Sequence, residues 1–178
     1  MCFRKILQVL LCFCIVFQAV EVWADVSLLT REQRFTKLFD YPCRKFGIPK
    51  ALAMAIARQE SDMRPLCINL AGKDVYPATV EDALEVAKNA QRRGISYDVG
   101  IMQVNSYWIR KYKIPLHLLL QPRSNIYMGC WILKQEIDRY GLNWLAVGRY
   151  HSPTDWRARD YSVKIKRHLR NILVAYSD

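Results

Sequence analysis

Glu60 is the residue of this sequence best suited to acid–base chemistry, because a charged side chain is costly where it lies. Residues 49–61, an Ala/Ile-rich segment, are predicted to form a helix. Ile56 and Ala57 lie one turn before Glu60, on the same face of that helix. Burial of this face desolvates the carboxyl group and raises its pKa. A carboxyl group with a raised pKa keeps its proton near neutral pH and can donate it in a reaction.

Glu60 also has a purely structural interpretation. The side chain could pair with Arg58 or Arg64, or it could turn to solvent at the end of the helix. Taken alone, the helix favours this structural role slightly. The motifs around the helix therefore have to decide between the two interpretations.

The elements that position Glu60 are predicted to be helices, with residues 62–78 as a loop between them. Capping residues, glycine stops and apolar periodicity predict an all-α domain with little or no sheet. A capping box at Thr30 to Gln33 opens the first expected helix, and a second one starts at Asp40 and ends at Gly47. The further helices are expected over residues 49–61, Thr79 to Gly94, Gly100 to Lys113, a short stretch around Leu118, Ser124 to Gly141, residues 143–150 and residues 154–176.

The first 24 residues are typical of a secretory signal peptide. Arg4 and Lys5 precede an apolar run, and Val22-Trp23-Ala24 fits the small-residue pattern at which signal peptides are cleaved. The alternative, an uncleaved membrane anchor, needs about 20 consecutive apolar residues, and the run is too interrupted for that. We therefore expect residues 1–24 to be removed and residues 25–178 to form one exported domain in the periplasm or cell envelope.

The formal net charge of +11 indicates an anionic partner. The leader carries two cations and one Glu, so the exported domain keeps +10. Nucleic acid is an improbable partner for an exported chain without a base-reading motif, whereas an acidic wall polymer fits. The basic residues of the last helix, Arg157 to Arg170, are interpreted as a solvated face or as a surface for anionic polymer or phospholipid.

Three cysteines remain after the leader: Cys43, Cys67 and Cys130. An oxidising compartment allows one disulfide and one spare thiol, and the sequence leaves the pairing open. Neither these cysteines nor the scattered histidines have metal-ligand spacing, so we expect no metal and no cofactor. A monomer is expected.

Five sequence blocks in order, spanning residues 41–166, resemble the lysozyme-like soluble lytic transglycosylases. They are ALAMAIARQESDMRP around Glu60, then DVGIMQVNS, NIYMGCWIL, AVGRYHSP and DYSVKI. The insert between the first two blocks, with its helix over 79–93, is similar to the small members that serve secretion and conjugation machines. The resemblance implies a goose-type lysozyme-like helical fold and peptidoglycan glycan strands as the substrate. It also implies, as possible partners, components of a secretion or conjugation apparatus.

The resemblance implies that Glu60 protonates the glycosidic oxygen between N-acetylmuramic acid and N-acetylglucosamine. Glu60 then accepts the proton of the muramoyl C6 hydroxyl, which closes a 1,6-anhydro ring. Hydrolytic glycosidases normally need a second carboxylate. The candidates are Asp62, Asp74, Asp82 and Asp98, and Asp98 is the first to test, although a role as a loop or cap residue is favoured for it.

The resemblance implies substrate-binding or site-orienting roles for seven further residues. They are Ser61, Met102, Gln103, Asn105, Tyr150, His151 and Tyr161. His151 and Pro153 depart from the Asn and Gly of the family pattern, which leaves the role of that segment open. The tryptophans at 108, 131, 144 and 156 are interpreted as core residues.

Three functions are compatible with these residues and motifs. The preferred one is a lytic transglycosylase that opens the wall locally for a secretion, conjugation or appendage machine. The second is a hydrolytic muramidase of lysozyme type, which requires an essential second carboxylate. The third is a wall-binding scaffold module without catalysis, for which Glu60 would be dispensable.

Overall fold

The computed structural model describes residues 30–176, and most of them lie in helices. The α-helices are α1 (Arg31–Phe35), α2 (Asp40–Phe46), α3 (Lys50–Ser61), α4 (Val80–Arg92), α5 (Ser106–Lys111), α6 (Leu116–Leu119), α7 (Pro122–Tyr140), α8 (Trp144–His151) and α9 (Asp155–Ala175), with a 3₁₀ helix at Thr36–Phe39. The strands are β1 (Ile68–Leu70), β2 (Lys73–Val75), β3 (Tyr97–Val99) and β4 (Val104–Asn105). The predicted leader lies outside the described residues. The chain from Phe35 onward forms one compact unit.

Local capping chemistry accounts for the helix starts that the sequence predicted correctly. At α1, Thr30 N donates to Gln33 Oε1 (2.8 Å) and Gln33 N donates to Thr30 Oγ1 (3.2 Å), which is the predicted capping box. At α4, Asp82 N donates to Thr79 Oγ1 at 3.1 Å. In α7 the predicted cap is wrong: the helix begins at Pro122, two residues before Ser124. Proline suits a first turn because its missing N–H has no partner there.

A small antiparallel sheet stands where the sequence predicted a loop and part of a helix. Its strand order is β2-β1-β3-β4, and Asp98 pairs with Asn105 across β3 and β4. Strands of two or three residues are too short for an alternating pattern, which is why the sequence did not reveal them. The prediction of a mainly helical domain is confirmed, and the sheet is an addition to it.

The predicted helix from Gly100 to Lys113 is wrong over its first half. Residues 100–103 form a turn with φ of +81° at Gly100 and +44° at Gln103, and left-handed residues of this kind cannot continue a right-handed helix. β4 follows the turn, so the helix starts only at Ser106. The tight turn brings residues 98 and 105 opposite each other.

The core forms around α3, whose residues Ala53, Ile56 and Ala57 have no solvent exposure. Helices α8 and α9 pack closely on each other because Gly148 lacks a side chain. A Cβ built at Gly148 would lie 2.4 Å from the carbonyl oxygen of Ala158. This close approach helps to hold α9, and with it Tyr161, against the end of α3.

All three cysteines of the described chain are buried and unbridged, and two of them are neighbours. Cys43 on α2 and Cys130 on α7 lie close enough for their thiols to interact, which lowers the pKa of Cys43 and raises that of Cys130. Cys67 lies apart from them, next to the sheet. The pairing stays a prediction, and of the three possible pairs Cys43 and Cys130 are the two thiols that are neighbours.

Two tryptophans contradict the interpretation as core residues. Trp144 is 39% exposed and Trp156 is 57% exposed. Both belong to α8 or α9 at positions that face outward, whereas Ala146 and Ala158 of the same helices are buried. None of the helices in residues 30–176 combines the length and the hydropathy that a membrane span requires.

Candidate active site

Glu60 lies in the last turn of α3 and accepts a hydrogen bond from Tyr161 of α9, at 2.5 Å between Tyr161 Oη and Glu60 Oε1. Desolvation raises the pKa of Glu60 from 4.5 to about 8. The hydrogen bond from Tyr161 opposes this rise, and the negative charges of Asp98 and Asp74 add to it. Glu60 is therefore mostly protonated at neutral pH. Its partner is Tyr161 rather than Arg58 or Arg64, the partners of the structural interpretation.

Glu60 opens into a groove of about 760 Å³. The small sheet and α5 form one wall, and α7 and α8 form the other. Besides Glu60, the groove is lined by Asn69, Gly72, Asp98, Gln103, Asn105, Tyr107, Trp108, Lys111, Ile132, Glu136, Arg139, Tyr140, Arg149, Tyr150, His151 and Pro153. A groove that presents both polar and apolar surface around one protonated carboxyl group is suited to a carbohydrate chain.

Ser61, next to Glu60, is buried and joins the end of α3 to the turn at residues 100–103. Ser61 Oγ donates to the carbonyl oxygen of Ile101 at 2.8 Å and accepts from Arg64 N at 3.1 Å. Its hydroxyl is thus fully engaged with the backbone. The structure favours an orienting role for Ser61 over direct contact with a ligand.

Asn125, at the start of α7, holds the same turn from the other side, and the sequence motifs did not single it out. Its Oδ1 accepts from Met102 N at 2.8 Å, while Nδ2 donates to the carbonyl oxygens of Val99 (2.7 Å) and Leu119 (2.8 Å). The side chain is 1% exposed. A buried asparagine that satisfies three backbone groups fixes a loop firmly. Its position in the NIYMGCWIL block was a signal, but nothing in the block indicates which residues it holds.

Met102 and Gln103 are adjacent in the turn but have different surroundings. Met102 is fully buried and packs against Gly129, so the prediction that Met102 contacts a sugar face is not supported. Gln103 lines the groove, and its Nε2 donates to the carbonyl oxygens of Gly100 (2.7 Å) and Cys67 (3.0 Å). Its buried Oε1 has no hydrogen-bond partner within residues 30–176. That oxygen is a buried acceptor that is left unpaired beside the groove.

Asp98 and Asn105 form a pair on the sheet wall of the groove. Asn105 Nδ2 donates to Asp98 Oδ1 at 2.7 Å, and Asn105 Oδ1 accepts from Tyr107 N, where it caps α5. Desolvation raises the pKa of Asp98, the hydrogen bond from Asn105 lowers it, and the charge of Asp74 raises it. The other candidates for a second carboxylate, Asp62, Asp74 and Asp82, are exposed and do not line the groove.

Three predicted residues of the later blocks meet near Glu60. Tyr161 donates to Glu60, whereas Tyr150 Oη donates to the carbonyl oxygen of Met102 at 2.7 Å. The His151 ring stacks on Tyr161 with 4.7 Å between centroids and 3° between planes. Desolvation and then the charges of Lys164 and Arg157 lower the pKa of His151. A neutral imidazole therefore covers the ring that holds Glu60.

The end of the groove away from Tyr161 carries residues that the sequence motifs did not assign to the site. Tyr107, Trp108 and Lys111 project from α5, with Tyr107 52% exposed. Trp108 packs against the core as predicted, and it also lines the groove, which the sequence did not indicate. Glu136 also lines the groove, where desolvation raises its pKa and Arg139 and Arg149 lower it. The sequence did not assign these residues to the groove, because aromatic and charged residues on a six-residue helix show the same spacing whether they face a groove or the core.

Comparisons with known proteins agree with this geometry. Residues 37–168 match the family model described as the transglycosylase SLT domain. Invasion protein IagB of Salmonella typhi is 29% identical over 137 residues, which cover 72% of this chain and 72% of that protein. Type IV secretion system protein virB1 of Brucella abortus is 30% identical over 94 residues, 52% of this chain and 39% of that protein. X polypeptide of Escherichia coli is 31% identical over 121 residues, 66% of this chain and 59% of that protein.

Proposed function

This chain belongs to the transglycosylase SLT domain family, and from this premise we propose that it is a lytic transglycosylase of peptidoglycan. The bond cleaved is the β-1,4 linkage between N-acetylmuramic acid and N-acetylglucosamine, and the product carries a 1,6-anhydromuramoyl end. The observation that carries the proposal is the carboxyl group of Glu60, which burial keeps protonated in a groove suited to a glycan.

Glu60 acts first as the general acid. Its proton passes to the glycosidic oxygen, the bond from that oxygen to C1 of the muramoyl sugar breaks, and N-acetylglucosamine leaves with a free 4-hydroxyl group. The Glu60 carboxylate then accepts the proton of the muramoyl C6 hydroxyl while O6 bonds to C1. No water is consumed, and Glu60 ends protonated as it began. One carboxyl group therefore suffices for both steps.

The neighbours of Glu60 support this exchange of roles. Tyr161 donates to Oε1 in either protonation state of the carboxyl group and so fixes its orientation. In the carboxylate form, this hydrogen bond stabilises the charge that appears after the first step. Ser61 and Asn125 hold the turn that carries Gln103, whose unpaired Oε1 would accept from an acetamido N–H of the sugar after a small shift of the Gln103 side chain.

The cellular setting is part of the proposal. The leader-like residues 1–24 support export to the periplasm or cell envelope, where peptidoglycan lies. One relative is named an invasion protein and another a type IV secretion system protein. We therefore propose that the enzyme opens the wall locally for a secretion, conjugation or appendage machine.

The test is mass spectrometry of products from purified peptidoglycan, treated with the wild-type protein, with Glu60→Gln or with Glu85→Gln. Glu85 lies on the exposed side of α4 and is the matched control. Anhydromuramoyl ends are expected from wild type and Glu85→Gln and should be absent with Glu60→Gln. Equal products from all three proteins would refute the assignment of Glu60. If none of the three proteins gave products, the interpretation as a wall-binding scaffold without catalysis would replace the enzyme proposal.

Hydrolysis is the second candidate, and the position of Asp98 in the same groove favours it. A muramidase would produce reducing ends and would need Asp98 or another carboxylate to stabilise the sugar cation or to activate water. The transglycosylase proposal expects Asp98→Asn to keep anhydro products at a reduced rate. Reducing ends from wild type, abolished by Asp98→Asn, would establish the hydrolase instead.

A further inference from the structure

A second groove, of about 890 Å³, lies between α4 and the segment from α5 to α6. It shares no lining residue with the groove of Glu60. Leu84 of α4 and Ile109, Ile114 and Leu116 of the opposite wall form an apolar floor. We propose that this groove binds an acidic amphipathic helix of a partner protein.

The rim of the groove supplies positive charge from both walls. Lys88 and Arg92 project from α4, and Arg110 and Lys113 from the opposite segment. All four are exposed, and within residues 30–176 none of them forms an ion pair. No acidic residue of the described chain lines this groove. Glu81 and Glu85 of α4 lie on the adjoining surface outside the groove, so carboxylates inside the groove have to come from another molecule.

The apolar floor decides which anion fits. A polyphosphate or nucleic acid would satisfy the rim but would leave the floor exposed to water or cover it with charge. A bilayer surface cannot enter a concave groove. An amphipathic helix places apolar side chains at spacings of three and four residues between flanking polar positions, which matches an apolar floor between two basic rims. Glutamates at the flanking positions then meet Lys88 and Arg110 across the groove.

Charge along α4 also gives the site a direction. Glu81 and Glu85 lie on the surface that adjoins Leu84, one or two turns before Lys88 and Arg92. A helix in the groove is therefore bound with its carboxylates towards the Arg92 end. The groove depends on α4, the helix of the segment between the Glu60 block and the DVGIMQVNS block.

The test measures fluorescence anisotropy of two labelled helical peptides. One has leucines at positions i, i+3, i+4 and i+7 with glutamates beside them, and the other has lysines in place of the glutamates. The acidic peptide is expected to bind at least about tenfold more tightly than the basic one, and more weakly as salt rises. Lys88→Glu and Arg110→Glu, one from each wall, should each weaken binding at least about threefold. Arg123→Glu, an exposed reversal on α7, is the matched control and should change it less than about twofold.

Three outcomes would overturn the inference. The two peptides could bind equally well, the rim variants could bind the acidic peptide as tightly as Arg123→Glu does, or the affinity could stay unchanged when alanines replace the leucines. Inorganic polyphosphate that binds as tightly as the acidic peptide and is lost in the same variants would make this a polyanion site instead. Lys88→Glu is expected to cleave peptidoglycan at the wild-type rate. The binding assay does not use enzyme activity, so its result is independent of whether the proposed enzyme function is correct.

Discussion

Replacement of Glu60 by glutamine should make the protein more stable near pH 8 than the wild type, although it removes the proposed catalytic group. Glutamine has the shape of the protonated side chain, and its oxygen can still accept from Tyr161. The pKa of Glu60 is about 8 in the folded protein and 4.5 in the absence of the fold. Below pH 4.5 the wild-type carboxyl group is neutral in both states. As the pH rises towards 8, the unfolded state loses its proton first, so the wild type loses stability.

The size of this effect follows from the two pKa values. At about 1.4 kcal/mol for each pH unit, the interval from 4.5 to about 8 corresponds to a loss of about 5 kcal/mol. Between about pH 5.5 and about pH 8, integration of the linkage relation gives about 3 kcal/mol. Glu60→Gln has no titrating group at this position and does not incur this loss. The difference in unfolding free energy between variant and wild type should therefore grow by about 3 kcal/mol over that range.

Urea denaturation at the two pH values measures this difference directly. Glu85→Gln controls for the loss of one carboxylate, and because Glu85 is exposed, its difference from wild type should stay constant with pH. A constant difference for Glu60→Gln as well would refute the reasoning. Glu60 would then be solvated in the folded protein, and the argument that burial keeps it protonated would fail.

The remaining predictions concern neighbouring groups. The rate of glycan cleavage should fall above about pH 8, where Glu60 loses its proton; a falling limb near pH 4.5 in the pH–rate profile would contradict this. Tyr161→Phe should move that limb to higher pH, because the hydrogen bond that it removes lowers the pKa of Glu60, and should slow cleavage about tenfold; an unmoved limb would show that Tyr161 does not hold the carboxylate. In an oxidising buffer Cys43 and Cys130 should form a disulfide and leave Cys67 as the one alkylated thiol among these three; mass spectrometry that finds all three alkylated would exclude it. Gly148→Ala should lower the unfolding free energy by about 2 kcal/mol, because its Cβ would meet the Ala158 carbonyl oxygen at 2.4 Å, and an unchanged urea midpoint would show that α8 and α9 separate freely.

The sequence by itself determined most of the helices and the position of Glu60 on a buried helix face, although it misplaced the starts of α5 and α7. Capping at Thr30 and Thr79 involves residues three apart, and the apolar stripe before Glu60 repeats within one turn. Interactions of such short range depend only on residues that are close in the sequence, so the sequence alone can predict them.

The tertiary structure decided what surrounds Glu60. The turn at residues 100–103 depends on a left-handed Gln103 and on Asn125, which lies 22 residues further along the chain. That turn buries Met102 and leaves Gln103 in the groove, although the two are neighbours in one motif. The place of Trp108 in the groove wall likewise depends on the sheet and α7 that form the walls. These outcomes rest on hydrogen bonds and close packing between distant segments, and no local pattern in the sequence records which segments will meet.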